Sequence, residues 1–157
     1  MSAFNIHNLI RLLRINDART TTALTANANT TYADITGLTV NLTPGTYKFK
    51  AVLPSTVASG TGGIKYAFNY TNGLTLSALQ SAAEGFTASA VAVQNSTSTT
   101  AQADLFTQAA VVIKVVIEGT VIVSTGGTLT VQMAQNTSNA SNTVALVNGF
   151  IEFAPIV

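Results

Sequence analysis

The sequence predicts an all-β protein: a two-sheet antiparallel sandwich, jelly-roll-like, preceded by a short N-terminal arm that is helical or extended. Three observations predict it. From residue 32 onward, apolar and polar residues alternate with a period of two in one short run after another. The runs are separated by clusters of Gly, Asn, Ser, Thr and Pro, which are turn-forming residues. Nowhere do strand-like and helix-like patterns alternate as βαβ units require. About eight strands fit within the 157 residues, a length suited to one domain. An immunoglobulin-like sandwich and a small closed barrel satisfy the same pattern, and strand order is not readable from it.

The arm is assigned to residues 1–19 and the sandwich to residues 20–157. Within the arm, Ile6, Leu9, Ile10 and Leu13 recur at helical spacing, and His7, Arg11 and Arg14 share another face. A helix of about three turns is marginal without a partner. Ile6, Leu9, Ile10, Arg11, Leu13 and Arg14 are therefore the candidate docking residues.

Residues 20–31 predict one short strand and a turn at 27–29. Leu38, Val40 and Leu42 then alternate with Thr39 and Asn41, and Pro44-Gly45 marks a turn. Tyr47, Phe49, Ala51 and Leu53 share one face, with Lys48 and Lys50 on the other, and Pro54 is expected to end that strand. Residues 55–63 read as loop. Ile64, Tyr66, Phe68 and Tyr70 line one face of the next strand, which ends at the turn dipeptide Asn72-Gly73. Residues 74–94 predict a strand, a short helix over 77–84 ended by Gly85, and a second strand. Residues 95–103 read as loop.

The run over residues 109–123 is apolar on both faces. Val111, Ile113, Val115 and Ile117 lie on one side, and Val112 and Val116 lie on the other with Lys114 and Glu118. Such a strand is central or is covered by another subunit. Val112 and Val116 are accordingly the candidate oligomer contacts. After a turn at 124–127, Leu129, Val131 and Met133 alternate with polar neighbours. Residues 135–143 are a polar loop. In the last strand Ile151 and Phe153 oppose Phe150 and Glu152.

Only 8% of the chain is charged, against roughly 25% in an ordinary soluble domain. The surface is therefore covered by hydroxyl and amide side chains, or it meets copies of itself; a substantial subunit interface is expected. Net charge is +1, and Arg11, Arg14 and Arg19 hold three of the seven basic residues within the first twenty positions. Lys48, Lys50, Lys65 and Lys114 form no basic face, so nucleic acid is not an expected partner. No apolar run reaches the length of a membrane-spanning helix, and the arginines make residues 1–16 a poor signal peptide.

The chemistry is sparse. Cysteine is absent and His7 is the sole histidine, so the usual zinc ligands are missing. The acids Asp17, Asp34, Glu84, Asp104, Glu118 and Glu152 are dispersed, with no flagged glycosidase pair or calcium loop. Gly60-Thr61-Gly62-Gly63 lacks the Lys and Ser/Thr of a phosphate-binding loop. The reading is a non-enzyme with no catalytic, cofactor or metal residues. Tyr66, Phe68 and Tyr70 remain, either as sheet core or as a ligand platform for stacking carbohydrate, with loops 55–63, 95–103 and 135–143 nearby.

Several stretches are similar to the β-sandwich module of tailed-bacteriophage structural proteins found in tail-fibre tips, minor tail components and head fibres. Tyr32, Asp34, Gly37 and Leu38 match its first motif, and Gly45, Tyr47, Phe49 and Ala51 its second. Gly62, Gly63 and Phe68 match its third. Gly127, Leu129, Thr130, Gln132, Ala134, Gln135, Asn136 and Thr137 match the last and most specific. The resemblance covers about residues 20–157. It implies a jelly roll that trimerises about a threefold axis and acts without catalysis at the virion surface, on head or tail, after assembly in the host cytoplasm. The implied partners are the chain itself and a major capsid or tail protein. The length suits a stand-alone head decoration or head fibre. The competing expectation is a receptor-binding adhesin that recognises a host glycan or surface protein.

Overall fold

The computed structural model describes residues 16–156. The docking candidates Ile6, Leu9, Ile10, Arg11, Leu13 and Arg14 lie outside them, as does His7. The described residues form an all-β protein in which two antiparallel sheets make a sandwich. Twelve strands run in the order β1 (Asn16–Arg19), β2 (Leu24–Ala26), β3 (Ala33–Leu42), β4 (Gly45–Val57), β5 (Ile64–Thr71), β6 (Thr75–Phe86), β7 (Val91–Thr97), β8 (Asp104–Gln108), β9 (Lys114–Thr125), β10 (Gly127–Ala134), β11 (Thr143–Ala145) and β12 (Phe150–Pro155).

The larger sheet has the order β1-β12-β4-β9-β6-β7. Short β11 extends it by pairing with the end of β4, and β2 pairs with β11. The smaller sheet has the order β3-β10-β5-β8. Residues 16–19, at the end of the segment expected to be an arm, pair with β12 as an edge strand of the larger sheet.

Alternation builds the core. Tyr47, Phe49, Ala51 and Leu53 of β4 point inward with Ile117, Val121 and Val123 of β9 and Ile151 and Phe153 of β12. They meet Ile35, Leu38 and Val40 of β3, Leu129, Val131 and Met133 of β10, and Tyr66 and Phe68 of β5. Phe49 joins the layers: its ring stacks on Phe153 at 5.5 Å and meets Phe68 edge-on at 5.5 Å. Edge-to-face and offset geometries suit the aromatic quadrupole.

Four sequence expectations are corrected. Residues 77–84 are not a helix but the middle of β6, where Leu79, Ser81, Ala83 and Gly85 face inward and alternate with exposed Gln80, Ala82 and Glu84. Pairing with β9 and β7 on both sides overrides the weak strand propensity of Ala and Ser. Pro54 does not end β4. It lies where one side of β4 changes partner, between Val52 opposite Phe150 and Ser55 opposite Ala145. The Pro54 carbonyl accepts from Leu146 N at 2.9 Å on that side, and the missing N–H falls in the gap.

Residues 95–103 are not all loop, because β7 continues to Thr97 and β8 begins at Asp104. Residues 109–123 are not one regular strand either. Regular pairing starts at Lys114, and before it the alternation is out of step: Val112 is fully buried while Val111 and Ile113 are half exposed.

Gly37 interrupts β3 with φ +90°. A Cβ there would sit 2.2 Å from the Arg19 carbonyl. Only glycine allows β1 and the residues after it to pass this close, and it takes the left-handed conformation without strain.

Candidate functional site

Strand register arranges the outer face of the larger sheet into rows. One row reads Arg19, Phe150, Val52, Val116, Glu84 and Val93 across β1, β12, β4, β9, β6 and β7. Beside it lie Pro54, Lys114, Phe86 and Val91. The basic groups cover aromatic rings rather than break the band: Lys114 Nζ lies 4.2 Å from the Phe86 ring centroid, and Arg19 lies 5.8 Å from that of Phe150.

Ile113 is tied by its backbone to Ser55 and Phe86, and Leu146 to Pro54, at this same end of the sheet. Of the large apolar residues exposed on the described surface, Val91, Val93, Ile113, Leu146 and Val147 therefore lie in or beside one band. Val93 is 62% exposed and Ile113 52%. Exposed Glu84 lies between Val116 and Val93 and divides this apolar surface; exposed apolar patches are where proteins commonly meet partners.

The next row is charged: Asp17, Glu152, Lys50, Glu118, then Ala82 and Asn95. Lys50 Nζ meets Glu118 Oε1 at 2.5 Å, and that hydrogen bond raises the lysine pKa. Both side chains are solvent-exposed, so the pair contributes little stability but bounds the apolar band on one side. A shallow depression beyond it is lined by Gln80, Ala82, Asn95, Thr97 and Thr120.

The smaller sheet presents a different surface. Its outward rows are Asn41, Thr128 and Thr71; Thr39, Thr130 and Asn69; and Asp34, Gln132, Ala67 and Asp104. These groups bond laterally. Thr128 Oγ1 donates to Asn41 Oδ1 at 2.9 Å, and the Thr39 and Thr130 hydroxyls lie 3.0 Å apart. Asp34 Oδ1 accepts from Gln132 Nε2 at 2.6 Å and from Asn69 Nδ2 at 3.3 Å.

Tyr32, just before β3, donates its hydroxyl to Asp104 on β8, and Lys65 Nζ lies 4.6 Å from its ring centroid. It thus reaches across β10 and β5, where the outward residues Ala134 and Ala67 are fully buried. Burial, and then the Asp104 carboxylate, push the Tyr32 pKa well above the usual value for tyrosine.

The polar loops are engaged with one another. Gln135 is fully buried; its Nε2 donates to the carbonyls of Asn139 (3.0 Å) and Ser141 (2.6 Å), and its Oε1 accepts from the Asn29 and Asn139 N–H groups. Asn139 Nδ2 donates to Thr61 Oγ1 at 2.9 Å, and Asn27 Nδ2 to Ala140 O at 2.6 Å. Loops near residues 28, 60 and 139 are thereby pinned together.

Two candidate sites are therefore corrected. Tyr66 and Phe68 are 0% and 2% exposed and belong to the core, so neither offers a face to a ligand; only Tyr70 is partly exposed. Val112 is 0% exposed within its own chain and has no surface for a second subunit. Val116 does lie on the outer face, half-buried between Val52 and Glu84.

The sequence singles out neither the exposure of Val93 and Ile113 nor the pairing of Asp34 with Gln132. The two-residue spacing of Val91 and Val93 was a usable signal for an exposed edge strand. Among the described residues, no three His, Cys, Asp or Glu gather as a metal site. No protein-family model matches the chain, and no curated relative matches it.

Proposed function

We propose that this chain is a non-enzymatic structural subunit that assembles with copies of itself through the outer face of the larger sheet. The observation that carries the reading is the apolar band formed by Val52, Val91, Val93, Ile113, Val116 and Phe150. Removing such a band from water drives association at about 25 cal/mol for each Å² of apolar area. The charged row from Asp17 to Glu118 bounds the band, as a polar rim bounds an interface core.

The finer fold assignment is a jelly roll. It is supported by the eight strands β3 to β10, which divide as β3-β10-β5-β8 facing β4-β9-β6-β7. That order is two antiparallel Greek keys wound together. The trimeric state and a place on a phage head or tail, docked to a capsid or tail protein, rest on the resemblance of the Tyr32–Leu38 and Gly127–Thr137 motifs.

The test is a paired substitution, Val93→Asp with Ile113→Asp, followed by sedimentation velocity and circular dichroism. Folded single chains are the expected product. An oligomer unchanged in size would overturn the assignment of this face.

A further inference from the structure

We propose that the open edge of β7 pairs antiparallel with β7 of a second copy, centred on Gln94, so that the two larger sheets join as one. The proposal goes beyond assembly through the face of that sheet: it concerns backbone groups at the edge and stands whether or not the face associates.

The first argument is where the β7 backbone bonds go. Thr87 N donates to Ala90 O at one end of the β6–β7 pair, and Ser98 N donates to Leu79 O at the other. Bonded pairs alternate along an antiparallel ladder, and the register between those ends sets Gly85 against Ala92, Ala83 against Gln94 and Ser81 against Ser96. Ala92, Gln94 and Ser96 therefore bond to β6, while Val91, Val93, Asn95 and Thr97 turn their N–H and C=O groups away from it. β7 ends the strand order of the larger sheet, and these outward groups have no partner among the described residues. A row of alternating donors and acceptors is matched along its length by another extended strand.

The second argument is that this edge lacks the usual protection. No residue from Ala90 to Ser98 is charged or proline, and β7 runs against β6 without a bulge. Other edges are blunted. β1 carries Asp17 and Arg19. On β8 the Gln94 amide accepts from Thr107 N at 2.6 Å and donates to the Thr107 carbonyl, and Ser96 Oγ donates to Asp104 O. β7 thus covers β8 with its inward side chains and leaves its own edge bare.

The third argument selects a second copy. Self-pairing about a twofold axis at Gln94 overlaps the whole seven-residue strand. It sets Val93 opposite Asn95 and Val91 opposite Thr97, so every outward residue meets another outward residue. A shift of register by two residues would leave one end of each strand unmatched. The strand is uncharged, so no like charges oppose each other across the pair. One pair of short strands buries less than the roughly 1,000 Å² of a stable interface. The contact therefore forms in concentrated protein and leaves the mass in dilute solution to the face.

Residue-resolved amide hydrogen exchange on the full chain, in dilute and in concentrated solution, tests the pairing. In dilute solution Val91, Val93, Asn95 and Thr97 should exchange fast, and Ala92, Gln94 and Ser96 slowly. In concentrated solution the first set should slow about tenfold while the second is unchanged. Asn95→Pro should abolish the slowing at Val91, Val93 and Thr97, because it removes an outward N–H that β6 does not use. If circular dichroism shows that variant unfolded, Asn95→Lys serves instead: it sets two like charges diagonally across the pair and should weaken the slowing. Outward amides that ignore concentration, slowing spread evenly along β7, or slowing that survives in the folded variant would overturn the proposal.

Discussion

The hydroxyl groups of Tyr66 and Ser55 lie 2.8 Å apart inside the sandwich, one on β5 and the other on β4, and so join the two sheets by a buried polar contact. Ser55 Oγ donates onward to the Leu53 carbonyl at 2.9 Å, so Tyr66 is the donor between the two hydroxyls. This pair explains how a tyrosine occupies a core position: its one polar atom has a partner on the facing layer.

Removing either partner should therefore have unequal effects. Ser55→Ala strands the Tyr66 hydroxyl in the core and should cost about 2 kcal/mol, whereas Tyr66→Phe removes the donor with its bond and should cost about 1 kcal/mol. Urea unfolding of the two variants measures the difference. Equal losses would contradict the donor assignment.

Alkaline pH should destabilise the fold. Burial pushes Tyr70 from its usual value near 10 up to about 12, and pushes Tyr66 higher still. Above pH 10 the unfolded chain loses these protons while the folded chain keeps them, so the unfolded state binds fewer protons and stability falls as pH rises. Unfolding free energy should be level below about pH 9.5 and decline across pH 10 to 12. Tyrosinate absorbance should rise together with the loss of structure.

Gln135 is expected to hold the loop end of the sandwich. It satisfies two backbone carbonyls and accepts from two backbone N–H groups. Gln135→Ala leaves these partly buried groups without their partner and should lower stability by about 1–3 kcal/mol. Hydrogen exchange should accelerate around residues 28, 60 and 139 and stay slow in β4 and β9. Uniform exchange changes would contradict a local role.

The strands were legible where alternation was strict and one face wholly apolar, as at residues 47, 49, 51 and 53 or 129, 131 and 133. Legibility failed where pairing on both sides, rather than side-chain pattern, determines the strand. In β6 the inward positions include Ser81, Ala83 and Gly85; at Gly85 the space is filled by Phe106, and a Cβ there would lie 2.2 Å from that ring. No local signal carries that information. The offset before Lys114 exchanged the expected roles of Val111 and Val112 for the same kind of reason. The candidate surface residues were harder still: Asp34, Asn69 and Gln132 lie on three strands, and register alone brings them together.

That offset yields a direct contrast. Val112→Asp buries a carboxylate in the chain's own core and should prevent stable folding, since an unpaired buried charge costs several kcal/mol. Val116→Asp, on the outer face, should leave each chain folded. Circular dichroism separates the outcomes. A folded Val112→Asp protein would contradict the placement of this residue.

Self-association through the larger sheet sets the mass of the unmodified protein in solution. Light scattering coupled to size exclusion, repeated over a range of concentrations, should give a mass near three times 16.2 kDa. A mass of one chain that persists as concentration rises would rule out assembly through this sheet.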